Sequence, residues 1–226
     1  MWKLGKAANT SLWTADRFVS EVHNVVKALG YDKHHVLGQS WGAALGASYA
    51  LTEPRGLSGL ILSNPYLSTP QWEKDYRRLA KGLPTEMQGA LEHADPKSEE
   101  FKQASEKFNY RHVWRFRHPL PTAIQKSENK KSDVVYNYMW GYKEAPVTGT
   151  LRDFDLIPSL SKITVPTLLL CGRYDEITPE TTQEFQRSIL NSEIVIFEKS
   201  SHQPLWTERR KYLKTVKEFL RRVEKS

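Results

Sequence analysis

Gly38-Gln39-Ser40-Trp41-Gly42 directly follows the apolar run His35-Val36-Leu37 and precedes the small-residue stretch Ala43-Ala44-Leu45-Gly46-Ala47. A G-x-S-x-G between a strand and a helix places its serine on a sharp, strained turn with the hydroxyl exposed. The turn leaves little room two residues to either side, which predicts that both flanking glycines are needed. The helix that starts behind the serine favours negative charge developing in front of it. The competing reading is a glycine-rich strand end carrying a solvated serine. The strand–turn–helix context favours Ser40 as a nucleophile.

A serine nucleophile of this type needs an acid and then a histidine later in the chain. Thr167-Leu168-Leu169-Leu170-Cys171-Gly172 reads as a fully buried strand. Asp175 lies just past its end. Glu193-Ile194-Val195-Ile196-Phe197 reads as a last strand, followed by Ser200-Ser201-His202. Functional groups in open parallel sheets gather beyond the carboxyl ends of the strands, where all three candidates fall. In this reading Ser40 attacks an acyl carbon, His202 takes its proton, and Asp175 orients the imidazole. Seven histidines compete for the role, but only His202 follows a final strand at the expected place.

Composition fits a globular enzyme. The chain has 226 residues, 39% of them hydrophobic, with seven tryptophans. It contains no apolar run of membrane-spanning length, and Met1-Trp2-Lys3-Leu4-Gly5-Lys6 lacks the apolar stretch of a signal peptide. The one cysteine, Cys171, excludes an intrachain disulfide and points to a reducing cytoplasm. The net charge is +7. Its lysines and arginines are spread along the chain, concentrate mildly over 209–225, and accompany no nucleic-acid motif. They read as a solvated basic face, so neither a nucleic-acid nor a membrane partner is expected. His34 and His35 point to opposite faces of a strand. No metal motif, phosphate loop or dinucleotide fingerprint is found, so no cofactor is expected.

Residues 14–29 show helical periodicity through Phe18, Val22, Val25, Val26 and Leu29, with Gly30 as the stop. His34–Gly38 and Leu57–Asn64 read as strands. From about residue 68 to 147 the strand runs vanish, and Pro84, Pro96, Pro119, Pro121 and Pro146 punctuate helical segments. The predicted organisation is an α/β core over 1–67 and 148–226, with a helical cap inserted at 68–147. The cap aromatics Trp72, Tyr110, Trp114, Phe116, Tyr138 and Trp140 are expected mainly in its core.

These features, with four further stretches, resemble the proline iminopeptidase family of α/β-hydrolases, which includes the tricorn-interacting aminopeptidase. The stretches are Tyr136-Asn137-Tyr138-Met139-Trp140-Gly141-Tyr142-Lys143-Glu144, Val147-Thr148-Gly149-Thr150-Leu151-Arg152-Asp153-Phe154-Asp155, Gly172-Arg173-Tyr174-Asp175-Glu176 and Ser200-Ser201-His202. The resemblance runs from about Ser11 to the C-terminus. It implies release of an N-terminal residue, often proline, from peptides or amides. It also implies that Glu144 and Glu176 bind the substrate's amino group and that Tyr136 lies near the substrate. Carboxylates suit a cationic amine, although most glutamates are simply on the surface.

The sequence also departs from the family, whose members carry further strands before the elbow and a His-Gly-Gly-Pro-Gly-like turn that supplies an oxyanion donor. The expectation is an N-terminally truncated α/β-hydrolase fold that keeps about four strands of a mostly parallel sheet. Lys3-Leu4-Gly5-Lys6 stands as the expected remnant of the donor loop. The backbone N–H of Trp41 is one oxyanion donor, and the second is unassigned. The elbow strand is left with an unpaired apolar edge, which predicts a homo-oligomer. Three functions follow: a proline iminopeptidase-like hydrolase, a carboxylesterase using the same residues on small acyl esters, and an inactive fragment or interaction module.

Overall fold

The fold is taken from a computed structural model, which describes residues 9–115, 121–128, 130 and 132–225. Thr14 caps the first helix, α1 (Ala15–Leu29), by accepting from Arg17 N–H, and Gly30 ends it at φ 67°. Strand β1 (His34–Gln39), helix α2 (Trp41–Ala50) and strand β2 (Leu57–Ser63) follow. Five helices come next: α3 (Thr69–Ala80), α4 (Thr85–His93), α5 (Glu99–His112), α6 (Thr122–Glu128) and α7 (Asp133–Met139). The chain returns to the sheet with β3 (Thr167–Gly172), α8 (Pro179–Ser188) and β4 (Ser192–Phe197). It ends in α9 (Pro204–Thr207) and α10 (Arg209–Val223).

The four strands lie in the order β1-β2-β3-β4 and pair in parallel throughout. Every carboxyl end therefore points to the same rim. The register sets Ile61 beside Leu168 and Leu62 beside Leu169. Alternate residues then face opposite layers. Leu60, Leu62 and Leu169 pack with Ala43, Ala44 and Ala47 of α2 and Phe185 of α8. Ile61, Leu168 and Leu170 pack with Phe197 and with Tyr212 and Phe219 of α10. Burial on both faces explains why β2 and β3 read as unbroken apolar runs. It also explains the small residues of α2, since Ala43, Ala44 and Ala47 let that helix lie close to the sheet with no exposed surface.

The helices between β2 and β3 share this core. Trp72, Tyr76, Leu83, Leu91, Ala104 and Phe108 belong to the same apolar cluster as Leu60 and Leu62. Two aromatic expectations are corrected. Tyr110 and Tyr138 are exposed, because they fall on the outer sides of α5 and α7. Phe116 and the stretch Lys3-Leu4-Gly5-Lys6 lie outside the described residues. Strand β1 forms one edge of the sheet, where Leu37 is 49% exposed. Among the described residues, no helix is long and apolar enough to cross a membrane.

Candidate active site

Four residues just beyond the strands converge on the carboxyl rim. Ser40 follows β1 and occupies φ 56°, ψ −120°, a conformation that L-residues rarely adopt. Its N–H donates to the carbonyl of Ser63 at 3.0 Å, which ties the turn to β2. Helix α2 starts immediately after it. The N–H of Trp41 is thus in the first turn, where backbone donors have no partner four residues back.

Asp175 follows β3 and His202 follows β4. The Nδ1–H of His202 donates to Asp175 Oδ1 at 2.7 Å, with side-chain exposures of 5% and 0%. Gly172 permits this meeting of loops, since a Cβ there would lie 2.0 Å from the carbonyl oxygen of Ser201. The Nε2 of Gln39 donates to the His202 carbonyl at 3.2 Å, so the residue before Ser40 touches the histidine loop directly.

Sequence reasoning missed two supports of this arrangement. Asn64, buried just after β2 at φ 51°, donates through Nδ2 to Asp175 Oδ2. Ser63 Oγ donates to Asn64 Oδ1 at 3.0 Å and fixes the amide's orientation. The N–H of Ile177 donates to Asp175 Oδ1 at 3.1 Å. The second support is the end of α5. The His112 carbonyl accepts from His202 N–H at 3.2 Å, and the Val113 carbonyl accepts from Ser201 Oγ at 3.0 Å. The Nδ1–H of His112 donates to the Tyr174 carbonyl at 3.0 Å. One segment thus touches both loops that carry Asp175 and His202. The only sequence signal for Asn64 is its place directly after a buried strand. Nothing local marks His112.

Above the rim lies a cavity of about 340 Å³, lined by Ser40, Trp41, Tyr66, Trp72, Tyr136, Trp140, Glu144 and Glu176 among others. The structure therefore brings Ser40, Glu144, Glu176 and Tyr136 to one cavity, with His202 and Asp175 beside it. Tyr136 on α7 donates its hydroxyl to both carboxylate oxygens of Glu144 at 3.1 Å. The Trp140 indole N–H donates to the Glu144 carbonyl at 3.1 Å. Glu176 Oε1 stands 3.7 Å from His202 Nε2. Two carboxylates thus face an otherwise mostly aromatic and aliphatic space. Among the described residues, no group of three or more His, Cys, Asp or Glu is placed to hold a metal ion.

The model of the alpha/beta hydrolase fold family matches residues 5–209. A proline iminopeptidase of Heyndrickxia coagulans is 40% identical over 98% of this chain and 78% of its own length. The proline iminopeptidase of Saccharolobus solfataricus is 36% identical over 95% of this chain and 71% of its own. The chain belongs to the proline iminopeptidase family of α/β-hydrolases. Among solved structures, the crystal structure of proline iminopeptidase from Mycobacterium smegmatis superposes with a TM-score of 0.87 at 34% identity. It covers 96% of this chain and 74% of that one. The crystal structure of VinJ superposes with a TM-score of 0.88 at 33% identity and similar coverage. As a proline iminopeptidase-like hydrolase, the chain is an enzyme. Its membership weighs against an inactive fragment.

The site's electrostatics couple Glu176 to His202. Burial pushes Glu176 up to about 7, aided by Glu144 and Asp175. The nearby His202 and a hydrogen bond from Trp72 oppose the rise. Burial alone would lower His202. The charge and hydrogen bond of Asp175, with the charge of Glu176, outweigh it and raise His202 to about 9. Burial also raises the Cys171 thiol, with Asp175 adding to the effect, so that group stays protonated and inert.

Proposed function

We propose that this enzyme is an aminopeptidase releasing an N-terminal residue, with proline preferred, from short peptides or amides through a Ser-His-Asp triad. The observation that carries the reading is the placement of two carboxylates, Glu144 and Glu176, in the same apolar cavity as Ser40. A serine hydrolase for simple acyl esters has no use for them. A substrate with a free α-ammonium does, because charge-assisted contacts in a dry pocket are strong. The apolar walls suit a ring or an aliphatic side chain beside that ammonium.

In this mechanism Ser40 Oγ bonds to the acyl carbon while its proton passes to His202 Nε2. Asp175 holds Nδ1 and stabilises the imidazolium. The Trp41 N–H and the first turn of α2 face the oxyanion. His202 then returns the proton to the leaving nitrogen, the C–N bond breaks, and water repeats the sequence to release the acid. Glu144, oriented by Tyr136, and Glu176 hold the substrate ammonium. The reaction needs no cofactor.

The helices over 68–147 act as the cap that shapes the cavity, over a core formed by 1–67 and 148–226. The buried single cysteine and the lack of a membrane-spanning helix among the described residues fit a cytoplasmic enzyme. Among the described residues nothing pairs with the outer edge of β1. That edge suits self-association into a homo-oligomer.

The test is hydrolysis of proline-anilide against a short-chain acyl ester, with Ser40→Ala as control. Serine-dependent anilide cleavage is the expected result. Ester cleavage alone would establish a carboxylesterase instead.

A further inference from the structure

Glu176 occupies a position that binding of an amine does not by itself explain. Its Oε1 is 3.7 Å from Nε2 of His202, the nitrogen that must be free to take the serine proton. The opposite nitrogen, Nδ1, is already held by Asp175 at 2.7 Å. Both ends of the imidazole therefore face a carboxylate, which favours a charged ring with protons on both nitrogens. A charged ring cannot act as a base. Glu176 lines the same cavity as Ser40 and Glu144, so a cation entering there meets Glu176.

We propose that Glu176 is a specificity-determining switch: in the empty site it holds the Nε2 edge of His202, and an ammonium bound between Glu144 and Glu176 draws it off, so that His202 gives up its Nε2 proton to solvent water and becomes the free base. The inference rests on reading this site as one that binds a free amine beside a triad. It makes the α-ammonium a requirement of the chemical step as well as of binding. An acyl substrate without an amine leaves Glu176 on the imidazole and meets a site whose base is still occupied by a proton.

The groups around the pair are compatible with such a switch. Asp175 lies on the same loop, and Glu144 follows α7 with Tyr136 on it. Tyr76 and Trp72 come from α3, His112 from the end of α5 with Arg111 and Arg115 beside it, and Cys171 from β3, with the charge of Glu180 of α8 acting on it. Burial keeps His112 low and Tyr76 and Cys171 high, so these three stay uncharged near neutral pH. The carboxylates left to answer an incoming cation at the pair are Glu176, Glu144 and Asp175, and Asp175 is engaged with His202, Asn64 and the Ile177 N–H. The empty site starts with His202 at about 9. A positive charge placed on Glu176 moves it downward, and by reciprocity the ammonium binds more tightly as His202 loses its proton.

The experiment follows the His202 imidazole by NMR through a pH titration of the whole chain, with and without saturating L-prolinol. This probe is an unreactive secondary amine with no acyl group. A His202→Gln variant assigns the signal. The expected result is a fall of one pH unit or more in the His202 midpoint with prolinol, a tenfold change in its proton affinity. Glu176→Gln should show the lowered midpoint without prolinol and no further shift with it. Prolinol that binds, as seen in the Trp140 indole signal, while His202 stays unmoved overturns the switch and leaves the amine site standing. A probe that fails to bind at any pH overturns both.

Discussion

At the scale of single residues, Asp175, the acid of the proposed triad, is held by a group outside that triad. Asn64 donates to the Asp175 oxygen that His202 does not use. Its own φ of 51° is tolerated by asparagine and glycine far better than by most residues. Asn64→Gly therefore removes the amide while leaving the backbone at ease. A hydrogen bond to a buried charged group is worth about 1.5–3 kcal/mol. Asn64→Gly is expected to lower kcat by about tenfold to a hundredfold with KM nearly unchanged. Asn64→Leu, which adds backbone strain, is expected to lose stability as well. Steady-state kinetics with thermal unfolding separate the two effects. Beyond Asn64's place after a buried strand, none of this was legible in the sequence. Ser40, Asp175 and His202 are proposed because they follow strands, and Glu144, Glu176 and Tyr136 by resemblance. Asn64 meets a carboxylate 111 positions away, and no local pattern carries that information.

At the scale of elements, the junction of β1 and α2 is asymmetric although its motif is not. A Cβ on Gly38 would fall 2.0 Å from the Gly42 carbonyl oxygen, a backbone atom that cannot move aside. A Cβ on Gly42 meets no described atom within 4 Å. The sequence reading required both glycines for want of space, and the structure corrects it for Gly42, whose α-carbon faces outward from the turn. Gly38→Ala is expected to cost about 3 kcal/mol, a fall in Tm of roughly 6–12 °C. Gly42→Ala is expected to be neutral or to stabilise by up to about 1 kcal/mol, since alanine favours a helix over glycine. Thermal unfolding of the two variants decides it. The strands were the most legible elements, because β2 and β3 are buried on both faces and read as continuous apolar runs. The short helices were the least so. A seven-residue element such as α7 has too few turns for periodicity to fix which side faces inward, and Tyr138 was placed inside for that reason.

At the scale of the molecule, the sheet is assembled from two stretches of chain. β1 and β2 are neighbours in sequence, as are β3 and β4, yet Ile61 pairs with Leu168 across the five helices between them. The sequence showed this interruption as a loss of strand runs. It did not show that the inserted helices share the sheet's core through Trp72, Tyr76 and Phe108, since contacts at such separation leave no periodic trace. That arrangement has a practical outcome. A chain cut between Asp95 and Pro96, in the turn joining α4 to α5, yields one piece bearing Ser40 and another bearing Asp175 and His202. Each piece should be silent alone. Mixed, they should regain Ser40-dependent turnover that grows with the product of their concentrations until pairing saturates. Two strangers fused to the halves would then report their encounter as a released chromophore, and the enzyme would serve as a proximity sensor.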